Sequence, residues 1–231
     1  PVYKPIKRPQ YGKFCICWVG RLGSDKVHSV EKIIRDISKS RYKAAIVFKV
    51  VGGGSGLHHL EQLAAQLDVN LEVSGYIQGN DLHNMLRRDV DLGLSMLSPI
   101  LVIASLGIPS ALIDYSHAEI PDSYKYDWIF NTKSFDLGRD VKLGFERPFS
   151  LDGLISQVYE NDQLGLICYN YVAKHHDIKT VAIQLMNKVE LIRNSDTKGV
   201  TEADILSLLP ISVERSLVYV RRIIHLFRKY L

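Results

Sequence analysis

Cysteine is scarce: Cys15, Cys17 and Cys168 are the only thiols in 231 residues. Three thiols make no disulfide framework, and the two-residue spacing of the first pair is not the CxxC of a zinc or redox site. That usage fits a reducing, cytoplasmic setting. No apolar run approaches the roughly 20 residues a membrane-spanning helix needs, and the opening residues do not read as a signal peptide. Charge of one sign is not in excess either. Twenty-nine basic against 25 acidic residues leave +4, too little and too scattered for a nucleic-acid surface but compatible with a small anionic ligand. There is no Walker A loop, because GxxxxGK followed by Ser or Thr does not occur. The dinucleotide fingerprint is missing too: counted from Gly52, its last glycine position holds Leu57. Repeats and low-complexity tracts are absent.

What is present suits a sizeable core: 46% hydrophobic and 23% charged residues. Residues 1–13, with three prolines and four basic residues, read as a linker or crossover. Short apolar runs then alternate with stretches of helical period. Strands are expected at Phe14–Val19, Ala44–Val51, Leu71–Gly75, Val90–Ser95 and Ser110–Ile113. Between them, Ser29 is expected to cap a helix carrying Val30, Ile33, Ile34 and Ile37, and Leu57–Leu67 continues at the same period. Asp81–Arg87 and Pro99–Leu106 complete the helices, the last with Ser98 as N-cap and Pro99 at the first helical position. This β-α alternation predicts an α/β fold: a Rossmann-like, doubly wound parallel sheet. Beyond residue 150 the pattern turns helical. Caps are expected at Ser150 and Asp177, a capping box at Thr201–Asp204, and a basic amphipathic end with Val220, Ile223, Ile224, Phe227 and Leu231 on one face.

In such folds ligands bind beyond the C-terminal ends of the strands, so the loops there are the candidates for chemistry. Gly20-Arg21-Leu22-Gly23-Ser24-Asp25-Lys26 follows the first strand. Its glycines free the backbone to approach a ligand, and Arg21 and Lys26 can converge on one anion. An ordinary solvated basic loop is the alternative reading. Gly52-Gly53-Gly54-Ser55-Gly56 follows the second strand and opens a helix. Backbone N–H groups there can cradle phosphate, or the glycines serve only as a flexible turn. Metal binding by His58–His59 or His175–His176 is not expected, since no further ligand stands at suitable spacing. Asp114–His117 reads as a polar surface loop that could border the cleft. Tyr124, Tyr126 and Trp128 read as packing.

The order and spacing of these pieces resemble the C-terminal domain of GT-B glycosyltransferases, particularly glycosyltransferase family 4. That family shows a strand running into G-R-L-x-x-x-K, as at 20–26. A strand, Gly-rich turn and helix follow, as at 45–67. A strand-Gly-aromatic segment comes next, as at Val73–Ile77, then a strand like Asp89–Ser95, then a helix ending in G-x-P-x, as at Gly107–Ser110. The resemblance covers roughly residues 14–190 and implies a donor-binding domain over 14–192 followed by a helical tail over 193–231. It implies that Arg21 and Lys26 hold the diphosphate of a nucleotide-sugar, that Gly20, Gly53, Gly54, Ser55 and Ser98 line the donor site, and that Tyr76 and Ile77 border the base. It implies no metal or other cofactor, retaining chemistry, and a partner: an N-terminal acceptor domain preceding Pro1. The terminal helix would cross back onto that domain or, alternatively, touch the inner membrane leaflet. One departure stands out. Aligned on Gly107 and Pro109, the family's two glutamates fall at Leu94 and Val102. Three readings therefore stay open: a glycosyltransferase, a non-catalytic glycosyltransferase-like subunit, and a nucleotide-sugar epimerase of the same architecture.

Overall fold

The structure, a computed structural model, describes residues 12–132, 136–144 and 146–177. In chain order the elements are β1 (Phe14–Val19), α1 (Val27–Lys39), β2 (Ile46–Val51), α2 (Leu57–Gln66), β3 (Leu71–Val73), α3 (Gly79–Asp89), β4 (Leu92–Ser95), α4 (Leu97–Ser105), β5 (Ser110–Leu112), β6 (Asp127–Trp128), α5 (Leu151–Glu160) and α6 (Leu164–His175). The chain divides into two units. Pro1–Asn131 with Leu137–Val172 carries the sheet; Thr132–Asp136 with Ala173–Leu231 is the second, of which the described residues include little beyond the end of α6.

The sheet order is β3-β2-β1-β4-β5-β6, with the first five strands parallel and β6 antiparallel to β5. This is the doubly wound sheet expected, with β6 added. The chain steps outward from β1 to β3, then returns through α3 to the other side of β1. That reversal places a topological switch between β1 and β4. Both faces of β1 are covered, which is why its run is apolar throughout. Phe14, Ile16 and Trp18 pack with residues of α1, α2 and α5, while Cys15 and Cys17 pack with α3, α4 and α6. Val30, Ile33, Ile34 and Ile37 of α1 are fully buried, worth together at most roughly 6–12 kcal/mol of transfer free energy.

Two expected caps are corrected. Ser29 does not cap α1, which begins at Val27 with Lys26 in the cap position and no side-chain cap bond. The Gly23 carbonyl accepts from the N–H groups of Lys26 and Val27, so a backbone turn starts the helix. Ser29 is buried inside it, donating its hydroxyl to the Asp114 carbonyl at 2.8 Å. Ser98 likewise does not cap α4. That helix begins at Leu97 after Met96, because the Leu97 N–H is taken by the Leu137 carbonyl at 2.7 Å and Leu97 adopts φ +56°. β2 begins at Ile46, since Lys43–Ala45 forms a 3-10 turn. Ser150 does cap α5, accepting from the Gly153 N–H at 3.1 Å, and Leu151, Leu154, Ile155 and Val158 are buried at the expected spacing. Residues 1–11, the helix expected after Asp177, the box at 201–204 and the terminal stripe lie outside the described residues. No described helix is long and apolar enough to cross a membrane.

Candidate functional site

β1 and β4 pair only at Ile16–Leu92 and Cys17–Gly93, and part toward their C-terminal ends. The Ser95 hydroxyl bridges the parting by donating to the Val19 carbonyl at 2.8 Å. Above this switch point the loop Gly20–Lys26 runs beside Gly52–Gly56. Gly20 N–H donates to Val51, Leu22 N–H to Gly53, and Gly52 N–H to Gly75, at 2.9, 3.0 and 2.7 Å. A Cβ on Gly52 would stand 2.1 Å from the Gly20 carbonyl oxygen, and one on Gly54 2.4 Å from that of Leu22. These glycines let two loops lie backbone against backbone. Gly53 differs: a Cβ there meets nothing within 4 Å. Of the Gly-rich turn, Gly52 and Gly54 are thus committed to loop packing, whereas Gly53 borders open space and Ser55 is exposed. Gly20 is backed by Trp18. Its missing Cβ would lie 3.4 Å from the indole Nε1, whose N–H is buried without a hydrogen-bond partner.

Arg21 is exposed and Lys26 half-buried at the start of α1; neither forms an ion pair or side-chain hydrogen bond with any described residue. Two cations left uncompensated at a switch point can take an anion. On the β4 side, α4 opens onto the same sheet edge. The first N–H groups of a helix have no intrahelical acceptor. Here that of Leu97 is used by Leu137 and Pro99 has none, so Ser98 supplies the open one. Ser98 therefore keeps a place at the helix start, though not as its cap. Leu94 is fully buried in β4 and Val102 half-buried in α4, so neither alignment position presents a carboxylate.

Asp114–His117, expected as a polar surface loop that could border the cleft, is not a surface loop throughout, since Asp114 and Ser116 are buried, and the partner of Asp114 has no sequence signal. Asp114, at the end of β5, is buried in a two-pronged pair with Arg147, the Nε–Oδ2 distance being 2.7 Å. It also accepts from the Arg139 N–H at 2.8 Å and the Tyr124 hydroxyl at 3.1 Å, and Tyr115 N–H donates to the Arg139 carbonyl at 2.9 Å. Asp114 is thus an anchor for the segment from Leu137 to Val141 rather than a group facing ligand. Ser116 N–H, donating to the Asp25 carbonyl at 3.2 Å, ties this segment to the Gly20–Lys26 loop. On the other flank Gly75 joins the glycine loop through its carbonyl. Next to it Tyr76 is 82% exposed, its hydroxyl donating to Gln78 at 2.9 Å, and Ile77 is half-buried.

The remaining candidates are structural or thiol. Tyr126 and Trp128 are buried and Tyr124 packs against them; burial pushes the Tyr126 phenol well up. Burial pushes the Cys15 and Cys168 thiols up to about 12, so neither supplies a thiolate. Among the described residues no three His, Cys, Asp or Glu side chains form a metal-binding group. His59 instead donates toward Glu31 across the α1–α2 contact, at 2.6 Å, and His28 approaches the other oxygen at 2.7 Å.

No protein-family model matches this sequence, and no curated protein does. Solved structures match its fold. A glycosyltransferase from Rickettsia africae ESF-5 superposes with a TM-score of 0.52, at 14% identity over 80% of this chain. TarM from S. aureus, crystallised as a mutant with UDP, fondaparinux and alpha-GlcNAc-glycerol, gives 0.51 at 14% identity over 80%. HepE from Anabaena, in complex with UDP and glucose, gives 0.50 at 12% identity over 78%. The fold is that of a GT-B half. The chain spans 49%, 38% and 48% of those three proteins respectively.

Proposed function

We propose that this chain is the nucleotide-sugar-binding half of a glycosyltransferase similar to family 4, acting in surface polysaccharide or glycoconjugate synthesis. One observation carries the reading: Arg21 and Lys26, both without a counter-ion among the described residues, occupy the loop at the β1–β4 switch of a GT-B half. In transfer, the bond from the anomeric carbon to the diphosphate oxygen breaks and the electron pair leaves with the diphosphate. Arg21 and Lys26 stabilise that developing charge as fixed cations, with the Ser98 N–H as a further donor. Gly20, Gly53 and Ser55 give the diphosphate close access to backbone, Gly54 holds the Gly-rich turn against the Gly20–Lys26 loop, and Tyr76 and Ile77 border the base. The acceptor site belongs to a second domain.

A second reading follows from Leu94 and Val102. Without the two carboxylates, the half binds a donor but scaffolds a partner instead of transferring sugar. Calorimetric titration with UDP-glucose, GDP-mannose and dTDP-glucose tests the shared premise. Binding of at least one ligand, weakened about 30-fold or more in the Arg21→Ala, Lys26→Ala variant, is expected from losing two charge-assisted contacts. Equal affinity in variant and parent would refute it. Transfer or donor hydrolysis by the longer protein then separates enzyme from scaffold.

A further inference from the structure

Phe14, Ile16 and Trp18 form one row of side chains along β1, and the next place in that row is residue 20, a glycine. Trp18 is thus the last side chain of the row beneath the Gly20–Lys26 loop. Its ring is fully buried, and its Nε1 has no hydrogen-bond partner among the described residues. A buried donor without an acceptor is costly to fold around and calls for a cause. Other buried polar groups of the sheet are satisfied. Ser95 donates to the Val19 carbonyl, Ser110 to that of Ile108, and the Tyr126 hydroxyl to Asp36. Trp128, the other tryptophan, donates its indole N–H to Gln157 at 2.9 Å.

The backbone of Gly20 does not supply the acceptor. Its N–H donates to Val51, and its carbonyl is turned to Gly52, where a Cβ would meet the oxygen at 2.1 Å. What Gly20 turns to the indole is its bare side. A Cβ there would meet Trp18 before anything else, with Nε1 at 3.4 Å and Cε2 and Cζ2 at 3.5 Å. Gly20 also has φ +155°, a conformation that other residues rarely adopt, so the bare side is fixed by backbone as well as by residue type. Gly20 is itself half-buried, and the exposed Arg21 follows it directly. An indole N–H donates and cannot accept, so it selects an oxygen acceptor. Arg21 and Lys26, on the same loop, select one that carries negative charge.

We propose that the Trp18 indole N–H is a ligand donor, hydrogen-bonding a diphosphate oxygen of the bound nucleotide-sugar at the bare side of Gly20. The inference rests on reading the Gly20–Lys26 loop as the diphosphate site. The N–H is closed off without ligand, so the bond forms as Gly20 shifts to admit the oxygen. Trp18 and Trp128 are the only tryptophans in the 231 residues, so the isotope-labelled chain gives two indole N–H signals by NMR. Trp18→Phe or Trp128→Phe removes one signal and identifies the other. The chain is titrated with UDP-glucose, GDP-mannose and dTDP-glucose, then with the nucleoside diphosphate and the nucleoside of whichever binds. The Trp18 indole proton should move downfield by on the order of 0.5 ppm with the nucleotide-sugar and the nucleoside diphosphate, as a charge-assisted bond forms, and stay in place with the nucleoside. The Trp128 signal, already bonded to Gln157, should stay in place throughout. Trp18→Phe keeps a ring in the core and removes the N–H, and should weaken nucleotide-sugar binding about tenfold by calorimetry. If that variant does not fold, the titration of the parent chain decides. Saturation that leaves the Trp18 signal in place, a shift equally large with the nucleoside, or a Trp18→Phe chain of parental affinity overturns the inference while the diphosphate reading stands. A shift with the nucleotide-sugar but not the nucleoside diphosphate assigns the N–H to the sugar and overturns the diphosphate contact. No binding of any of the three nucleotide-sugars overturns the diphosphate reading itself, and the inference with it.

Discussion

Two neighbouring glycines carry opposite expectations. Gly52 has φ +136° and a Cβ there would sit 2.1 Å from a backbone oxygen, so Gly52→Ala should cost at least about 3 kcal/mol. Gly53→Ala faces open space and should change stability by less than about 1 kcal/mol. Urea unfolding of both variants checks the contrast, and comparable destabilisation would contradict the loop packing described here. The cysteines offer a second check. Thiols raised to about 12 at Cys15 and Cys168 hold almost no thiolate at about pH 8. Native protein should therefore react with a thiol reagent only as fast as it unfolds; stoichiometric labelling within seconds would show these thiols to be open. Their inertness was not legible from spacing, which says only that Cys15 and Cys17 share a face. Burial on that face by α3, α4 and α6 decides the chemistry.

Elements whose residues repeat with one period were readable, and contacts between loops were not. The β1 run, the isoleucines of α1 and the Ser150 cap of α5 each write a local signature. Ser29 and Ser98 carried the same kind of signature and misled. Their helix starts are fixed by distant or turn carbonyls, those of Leu137 and Gly23, which leave no mark at the serine. The two-residue β6 is too short to show a period. The Asp114–Arg147 pair joins residues 33 apart with no pattern between them, yet it fastens the segment that Ser116 ties to the Gly20–Lys26 loop. Arg147→Ala strands a buried carboxylate and should cost about 3–5 kcal/mol, less whatever the Arg139 N–H and Tyr124 hydroxyl still supply. A denaturation midpoint equal to that of the parent would contradict this. Leu97 is the reverse case. A leucine at φ +56° costs of order 1 kcal/mol that glycine does not, and its side chain is 41% exposed. Leu97→Gly should leave stability unchanged or raise it, and a marked loss would mean that the side chain is held by something beyond the residues around it.

At the scale of the molecule, the doubly wound sheet was legible because alternating strands and helices admit few topologies, and the switch between β1 and β4 follows from the strand order. The position of the Gly20–Lys26 loop at that switch is the shared ground of sequence and structure. The apolar stripe expected at Val220, Ile223, Ile224, Phe227 and Leu231 lies outside the described residues, and its docking on a preceding domain is a proposal with its own test. Docked on a preceding domain, it should give equal, negligible sedimentation with anionic and neutral vesicles, whether or not the chain is cut at Pro210. Salt-sensitive binding to anionic vesicles that disappears on truncation would assign it to a membrane instead. The most direct test of the central claim is a crystal structure with a bound nucleotide-sugar. The account predicts the diphosphate between the Gly20–Lys26 loop and the start of α4, within hydrogen-bonding distance of Arg21, Lys26 and the Ser98 N–H. A diphosphate bound elsewhere, or Arg21 and Lys26 on opposite sides of the loop with neither touching it, would contradict the account.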